Sequence, residues 1–208
     1  MKSAKNKTDA RAYHHGDLRR ALIEYTARLA SREGVAAVSL RRVAAAAGVS
    51  PAAPYHHFKN KADLLAAVAE EGFRLLDRAM TRAAAKAPPA PLDQMQAMGG
   101  AYVRFAARYP QYFRVMFRPE LAAAAVPDPD SWGQRAYHRL IHGIQALLGE
   151  AGPPSEAVMA EVVYAWSVVH GLATLWVDGT LSSEPPFKDW GIDGLIAAIT
   201  SRAGPMNT

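Results

Sequence analysis

Apolar residues recur every three to four positions along most of the chain. Leu18, Leu22, Tyr25 and Leu29 fall at spacings of 4, 3 and 4, one face of a 3.6-residue period. They predict a helix that opens near Gly16 and stops at Gly34, a residue suited to the left-handed position beyond a helix end. Leu40, Val43, Ala44 and Ala47 predict a second helix, which Ser39 can cap. Beyond a tight turn at Gly48, Ser50 caps a third, very short helix, with Pro51 at its first position, ending by Phe58. Asn60 caps a long fourth helix over 61–86, with Asp63 near its positive end. Its stripe is Leu64, Leu65, Val68, Leu75, Leu76, Ala79 and Met80. Pro88, Pro89 and Pro91 then break the chain. Further helices are expected near 92–108, 111–117, 131–148, 155–177 and 190–202, with a loop at 119–130 and connectors at 152–154 and 182–188. No segment alternates with period two over a useful length, and no repeat is visible. The expectation is an all-α chain: a flexible arm (1–13), a helical head (14–76) and a helical body (77–208).

Composition narrows this further. The 208 residues, half of them hydrophobic and 21% charged, are an ordinary globular mix. There is no cysteine, which excludes disulfide scaffolds, thiolate metal sites and cysteine nucleophiles. The first residues lack the apolar core of a signal peptide, and the longest uncharged apolar run, 162–177, falls short of the ~20 residues a membrane span needs. A soluble, cytoplasmic protein with no membrane partner is expected. The net charge of +5 is unevenly spread: residues 1–60 carry 11 Lys/Arg against 4 Asp/Glu, the remainder 13 against 15. A basic module that meets a polyanion, joined to a near-neutral body, fits this asymmetry.

Residues 39–58 read SLRRVAAAAGVSPAAPYHHF. Ala44 to Ala47 allow close helix approach, Gly48 permits a positive φ, and the third helix shows Tyr55, His56 and His57 where a buried helix would show leucine. This is a helix-turn-helix pattern, whose second helix enters the DNA major groove. Ala47-Gly48-Val49-Ser50, Tyr55-His56-His57-Phe58 and Lys61 together resemble the head of the TetR family of transcriptional regulators, over roughly residues 13–76. Pro54 departs from that pattern, where the family commonly has an aliphatic residue; it removes the first hydrogen bond of the short helix.

The resemblance implies that Ser50, Pro51 and Ala52 lie at the start of the recognition helix, next to double-stranded DNA. It implies that Tyr55 and His56 face the groove or backbone, that His57 and Lys61 meet phosphates, and that Arg42 and Arg41 approach the backbone from the second helix. Phe58 is expected to pack the head. Lys2, Lys5, Lys7 and Arg11 either add contacts or remain in a disordered arm.

In the body, Tyr102, Phe105, Phe113, Met116 and Phe117 recur at helical spacing, as a core or as the lining of a small-molecule cavity. Arg104, Arg108, Arg114 and Arg118 interleave with them and are expected to face solvent. Trp166 and His170 lie one turn apart. With Gly171, and with Tyr102, Phe105, Ala106, Pro110 and Phe113, they resemble the C-terminal domain of a TetR branch named for a Trp-His-Gly signature. That resemblance implies an effector site near Trp166 and His170, and a homodimer through the last two long helices. Two heads would then meet a pseudo-palindromic operator. The function implied is a DNA-binding regulator, a repressor released by a small-molecule effector. No cofactor, metal or catalytic activity is expected: His138 and His142 have a legal ligand spacing but no accompanying carboxylate, and no nucleotide or nucleophile motif occurs. An α-helical enzyme and a basic membrane-surface protein are the competing readings.

Overall fold

The protein is described from a computed structural model, over residues 15–118 and 128–200. The 1–13 arm, most of the 119–130 loop and Arg202 lie outside these residues. Among the described residues there is no strand. The helices are α1 (His15–Glu33), α2 (Leu40–Ala47), α3 (Lys61–Lys86), α4 (Pro91–Arg108), α5 (Pro110–Met116), α6 (Trp132–Leu148), α7 (Glu156–Val177), α8 (Thr180–Ser183) and α9 (Phe187–Thr200). Short 3-10 turns lie at Val35–Ala37 and Ala53–His56.

Local chemistry sets the boundaries of the head. The Ser39 hydroxyl accepts the Arg42 amide at 3.2 Å and starts α2. Gly48 closes it at φ 69°, ψ 28°, which lets the Val49 amide turn back onto the Ala44 carbonyl at 3.0 Å. Asn60 Oδ1 accepts the Asp63 amide and Asp63 Oδ2 accepts the Lys59 amide, both at 2.9 Å. This reciprocal cap fixes the corner where the chain enters α3.

The expected third α-helix is instead the 3-10 turn at Ala53–His56. In an α-helix Ser50 O would accept from residue 54, but Pro54 has no N–H. Ser50 O takes the Ala53 amide at 3.0 Å, and Ala52 O takes the Tyr55 amide at 3.1 Å. Both are i→i+3 bonds, so the turn tightens. The Pro54 ring is fully buried, as is Phe58. It occupies an interior place and leaves the outer face to its neighbours.

α3 runs from the head into the body. One cluster of buried side chains extends from Leu22, Val43 and Phe58, through Leu64, Val68 and Leu76, to Tyr102, Phe113 and Ala173. Head and body therefore share a core along α3, and α1 also packs against α5. A charged pair lies inside this frame: Asp77, only 6% exposed, accepts from Arg139 of α6 at 2.9 Å. It sits one residue from Leu76 within the apolar stripe.

The C-terminal helices depart modestly from expectation. α8 overlaps the start of the connector expected at 182–188, and α9 begins at Phe187, inside it, but carries a kink at Gly191 (φ 62°). α7 is longer than its uncharged run of 162–177, because Glu156 and Glu161 lie in its opening turns. By length and composition alone it would suit a membrane crossing, unlike the shorter uncharged run, and 22% of its most apolar window is buried within this chain. Val163, Tyr164 and Leu175 are exposed on it.

Candidate nucleic-acid interface and ligand cavity

The turn at Ala53–His56 presents its polar residues outward. Ser50, Pro51, Ala52, Tyr55 and His56 are exposed, Tyr55 by 58%, and His57 is half-buried against Phe58. Phe58 is 2% exposed and packs the head, with the Arg19 guanidinium 5.4 Å above its ring. The stretch around Gly48 thus holds one short surface ridge, with Arg41 exposed on the adjoining α2.

Arg42 and Lys61 sit differently from a freely solvated cation. Arg42 donates to the Ala37 carbonyl at 3.0 Å and to Glu33 at 2.8 Å. Lys61 Nζ donates to the Ala36 carbonyl at 3.2 Å. Arg42 thus ties α2 to the end of α1 and to the 3-10 turn that follows it, and Lys61 ties α3 to that turn. The Arg42–Glu33 pair is about half exposed, and such pairs contribute only about 0–1 kcal/mol. A stronger anion can take the guanidinium over.

A half-open cavity of about 1200 Å³ lies between α3, α4, α6 and α7 and extends to Arg19, Lys59, Asn60 and Asp63 of the head. Of the sequence-selected residues, Tyr102, Met116, Phe117 and Trp166 line it. His170, Phe113 and Phe117 line a second space of about 300 Å³ beside the end of α7. Phe105 lines neither; it is 3% exposed and belongs to the core. Sequence reasoning did not single out Phe73, Met95, Met98 and Tyr137, which also line the larger cavity. Their signal was the apolar periodicity itself, since core and cavity wall share it.

His170 is the hub of the aromatic cluster. Its ring lies 4.7 Å from Phe117, 5.3 Å from Phe113 and 6.3 Å, edge-on, from Trp166. Its Nδ1 is 2.7 Å from the Tyr102 hydroxyl. Burial lowers the His170 pKa from its usual 6.5, so the imidazole is neutral near pH 7 and Nδ1 accepts the Tyr102 proton. Burial pushes the Tyr102 phenol up, which keeps it protonated as the donor. The consequence for stability has a definite sign. Below about pH 6.5 the unfolded chain protonates His170 more readily than the folded one, so stability falls on acidification and is unaffected above that range. Urea midpoints at about pH 8 and pH 5 should therefore converge in His170→Gln relative to wild type; equal acid losses in the two proteins would refute the assignment.

Arg114 corrects the expectation of a solvent-facing row of arginines. It is half-buried, donating to Ser31 Oγ at 3.2 Å and to the Val177 carbonyl at 2.6 Å. Arg104 does face solvent, paired with Asp193 at 2.8 Å. His138 and His142 stack at 6.5 Å, and no cluster of three metal-ligating side chains exists among the described residues.

The chain matches two family models. One, described as bacterial regulatory proteins of the tetR family, spans residues 22–68; the other, a tetracyclin repressor-like C-terminal domain, spans 95–199. A Rhodococcus sp. RHA1 protein of unknown function is 30% identical, with 92% of this chain and 96% of that one aligned at a TM-score of 0.69. AibR in complex with isovaleryl coenzyme A and operator DNA aligns at a TM-score of 0.62 and 19% identity, covering 86% of this chain and 96% of AibR. PfmR, a TetR family transcriptional regulator from Thermus thermophilus, aligns at 0.54 and 20% identity, covering 77% and 93%. None of the curated proteins matches the chain.

Proposed function

The chain belongs to the TetR family of DNA-binding transcriptional regulators, and on that premise we propose which residues perform the work. The exposed ridge Ser50, Pro51, Ala52, Tyr55 and His56 enters the major groove. His57 and Arg41 lie beside it to meet phosphates. Arg42 and Lys61 exchange their backbone carbonyls, and Arg42 its Glu33 carboxylate, for DNA phosphate. The exchange is inexpensive because these are surface contacts, the Arg42–Glu33 pair being about half exposed. The head is residues 14–76, and residues 77–208 form the effector and dimerisation domain. Trp166, His170 and Gly171 support a reading of that domain as one of the Trp-His-Gly branch.

The observation that carries the effector reading is the 1200 Å³ cavity between α3, α4, α6 and α7. Its walls are mostly apolar and aromatic, with polar groups such as Glu70, Gln96 and Glu161 among them, the ordinary form of a small-molecule site. AibR, of the same fold, holds isovaleryl coenzyme A and operator DNA in one complex. Here an effector that prefers mis-spaced heads lowers operator affinity by population shift, which makes the protein a repressor released by its ligand. The exposed apolar face of α7, with Val163, Tyr164 and Leu175, meets a second copy together with α9. The protein acts in the cytoplasm and catalyses nothing.

Selection of duplex DNA from a random pool tests the DNA reading. The expected product is a pseudo-palindrome. Its affinity should fall with salt at a log–log slope of about −5 to −9, for a dimer that neutralises about six to ten phosphates. Retention of no duplex, or a slope near zero, would remove the reading.

A further inference from the structure

The larger cavity and the DNA-facing head are joined by a continuous set of contacts that does not run along α3. Tyr102 lines the cavity, and its hydroxyl bonds His170 on α7 at 2.7 Å. His170, Thr174 and Val177 follow at spacings of four and three, so they share one face of α7. Thr174 and Val177 line the smaller space together with His170, Arg114 and Phe113. The Val177 carbonyl is one of the last four of its helix, which have no intrahelical partner, and it lies at the negative end of the helix dipole. Arg114 of α5 fills that need at 2.6 Å. The other arm of the same guanidinium reaches Ser31, in the last turn of α1, at 3.2 Å. Phe113, the neighbour of Arg114, packs on the His170 ring at 5.3 Å. One rigid turn of α5 therefore touches both ends of the α7 face.

We propose that Arg114 is a positioning residue that couples the cavity to the head. A ligand that displaces the Tyr102 hydroxyl moves α7 through His170, and the Val177–Arg114–Ser31 link carries the movement into α1. The end of α1 in turn holds Arg42 through Glu33, at 2.8 Å, so the shift reaches a residue assigned to DNA. The device rests on the cavity being the effector site. The Arg114–Asp178 approach of 4.0 Å is partly exposed and adds little; the fork onto a carbonyl and a hydroxyl does the positioning.

Spatial continuity alone does not establish coupling, so the test is a double-mutant cycle on the full-length protein without ligand. Amide hydrogen exchange is measured in wild type, Tyr102→Phe, Arg114→Gln and the double variant. Tyr102→Phe removes one hydroxyl and keeps the ring. It should speed exchange of the amides of residues 31–34 and 178–179 about threefold or more, although residues 31–34 line neither space. Arg114→Gln should do the same, and the double variant should be no faster at residues 31–34 than Arg114→Gln alone. Arg114→Lys should restore part of the protection, and Arg104→Gln should leave these amides unchanged. Additive effects, a Tyr102→Phe effect confined to the surroundings of His170, or a uniform acceleration along the whole chain would overturn the proposal. Failure of the wild type to bind any duplex would remove the regulatory reading while leaving the exchange result to decide the coupling.

Discussion

Tyr55→Ala should weaken binding to the selected operator about 30-fold or more while leaving the melting temperature within about 2 °C of wild type. The asymmetry follows from where the side chain sits. Tyr55 is 58% exposed on the outer face of the 3-10 turn, while Pro54 and Phe58 on either side hold the turn from within. Truncating an exposed side chain away from caps and charge networks changes stability by no more than about 0.5 kcal/mol. On DNA the same ring contributes a groove contact of about 1–3 kcal/mol, present twice in a dimer. The low end of that doubled range is already close to 30-fold, at about 1.4 kcal/mol per tenfold. A mobility-shift titration beside a thermal melt separates the two quantities. Unchanged affinity would take Tyr55 out of the interface, and a large drop in melting temperature would make it a structural residue instead.

The largest effect on stability should come from the buried pair that links α3 to α6. Arg139→Met removes the guanidinium from Asp77, whose side chain is 8% exposed, and leaves a carboxylate without a partner inside the bundle. Breaking a buried pair from one side costs about 3–5 kcal/mol. The Arg139 side chain is 34% exposed and its loss admits some water, which places the expectation near 3 kcal/mol. At about 2–4 °C per kcal/mol for a chain of this length, the midpoint should fall by about 6–12 °C. The companion variant Asp77→Leu/Arg139→Met replaces both charges with apolar groups and should recover most of the loss. Equal melting temperatures for wild type and Arg139→Met would show that the pair is dispensable. Because α3 carries the head and both helices wall the cavity, Arg139→Met should also loosen the operator complex, with Tyr55 still in place.

Much of this molecule was legible from spacing alone. The bounds of α2, α3, α4 and α7 follow from caps and stripes that depend only on neighbours in sequence: Ser39, Gly48, Asn60 and the prolines around 88–91. The ridge at Ser50–His57 was legible for the same reason. It combines a glycine corner with polar and aromatic residues where burial would demand leucine. Pro54 was visible as a missing donor, but its effect was underestimated. With Pro51 also lacking an N–H, the α-helix gives way to i→i+3 bonding. Long-range partners could not be read in this way. Nothing near Arg114 in sequence points to Ser31, 83 positions earlier, or to the carbonyl of Val177, 63 positions later. Asp77 did carry a signal, a carboxylate inside an apolar stripe, which implies a buried partner without saying that the partner is Arg139. Cavity and core were also indistinguishable along the chain. Phe105 and Phe117 obey one periodicity, yet only Phe117 faces open space.

Chemical footprinting of the selected operator reads the central claim most directly, because methylation at guanine N7 reports the major-groove edge alone. The wild-type protein should protect two clusters of N7 positions, one per half-site and about one helical turn or slightly more apart, and Tyr55→Ala should lose protection within each cluster. Protection confined to the minor groove, or a bound duplex with every N7 still reactive, would contradict entry of the Ser50–His57 ridge into the major groove.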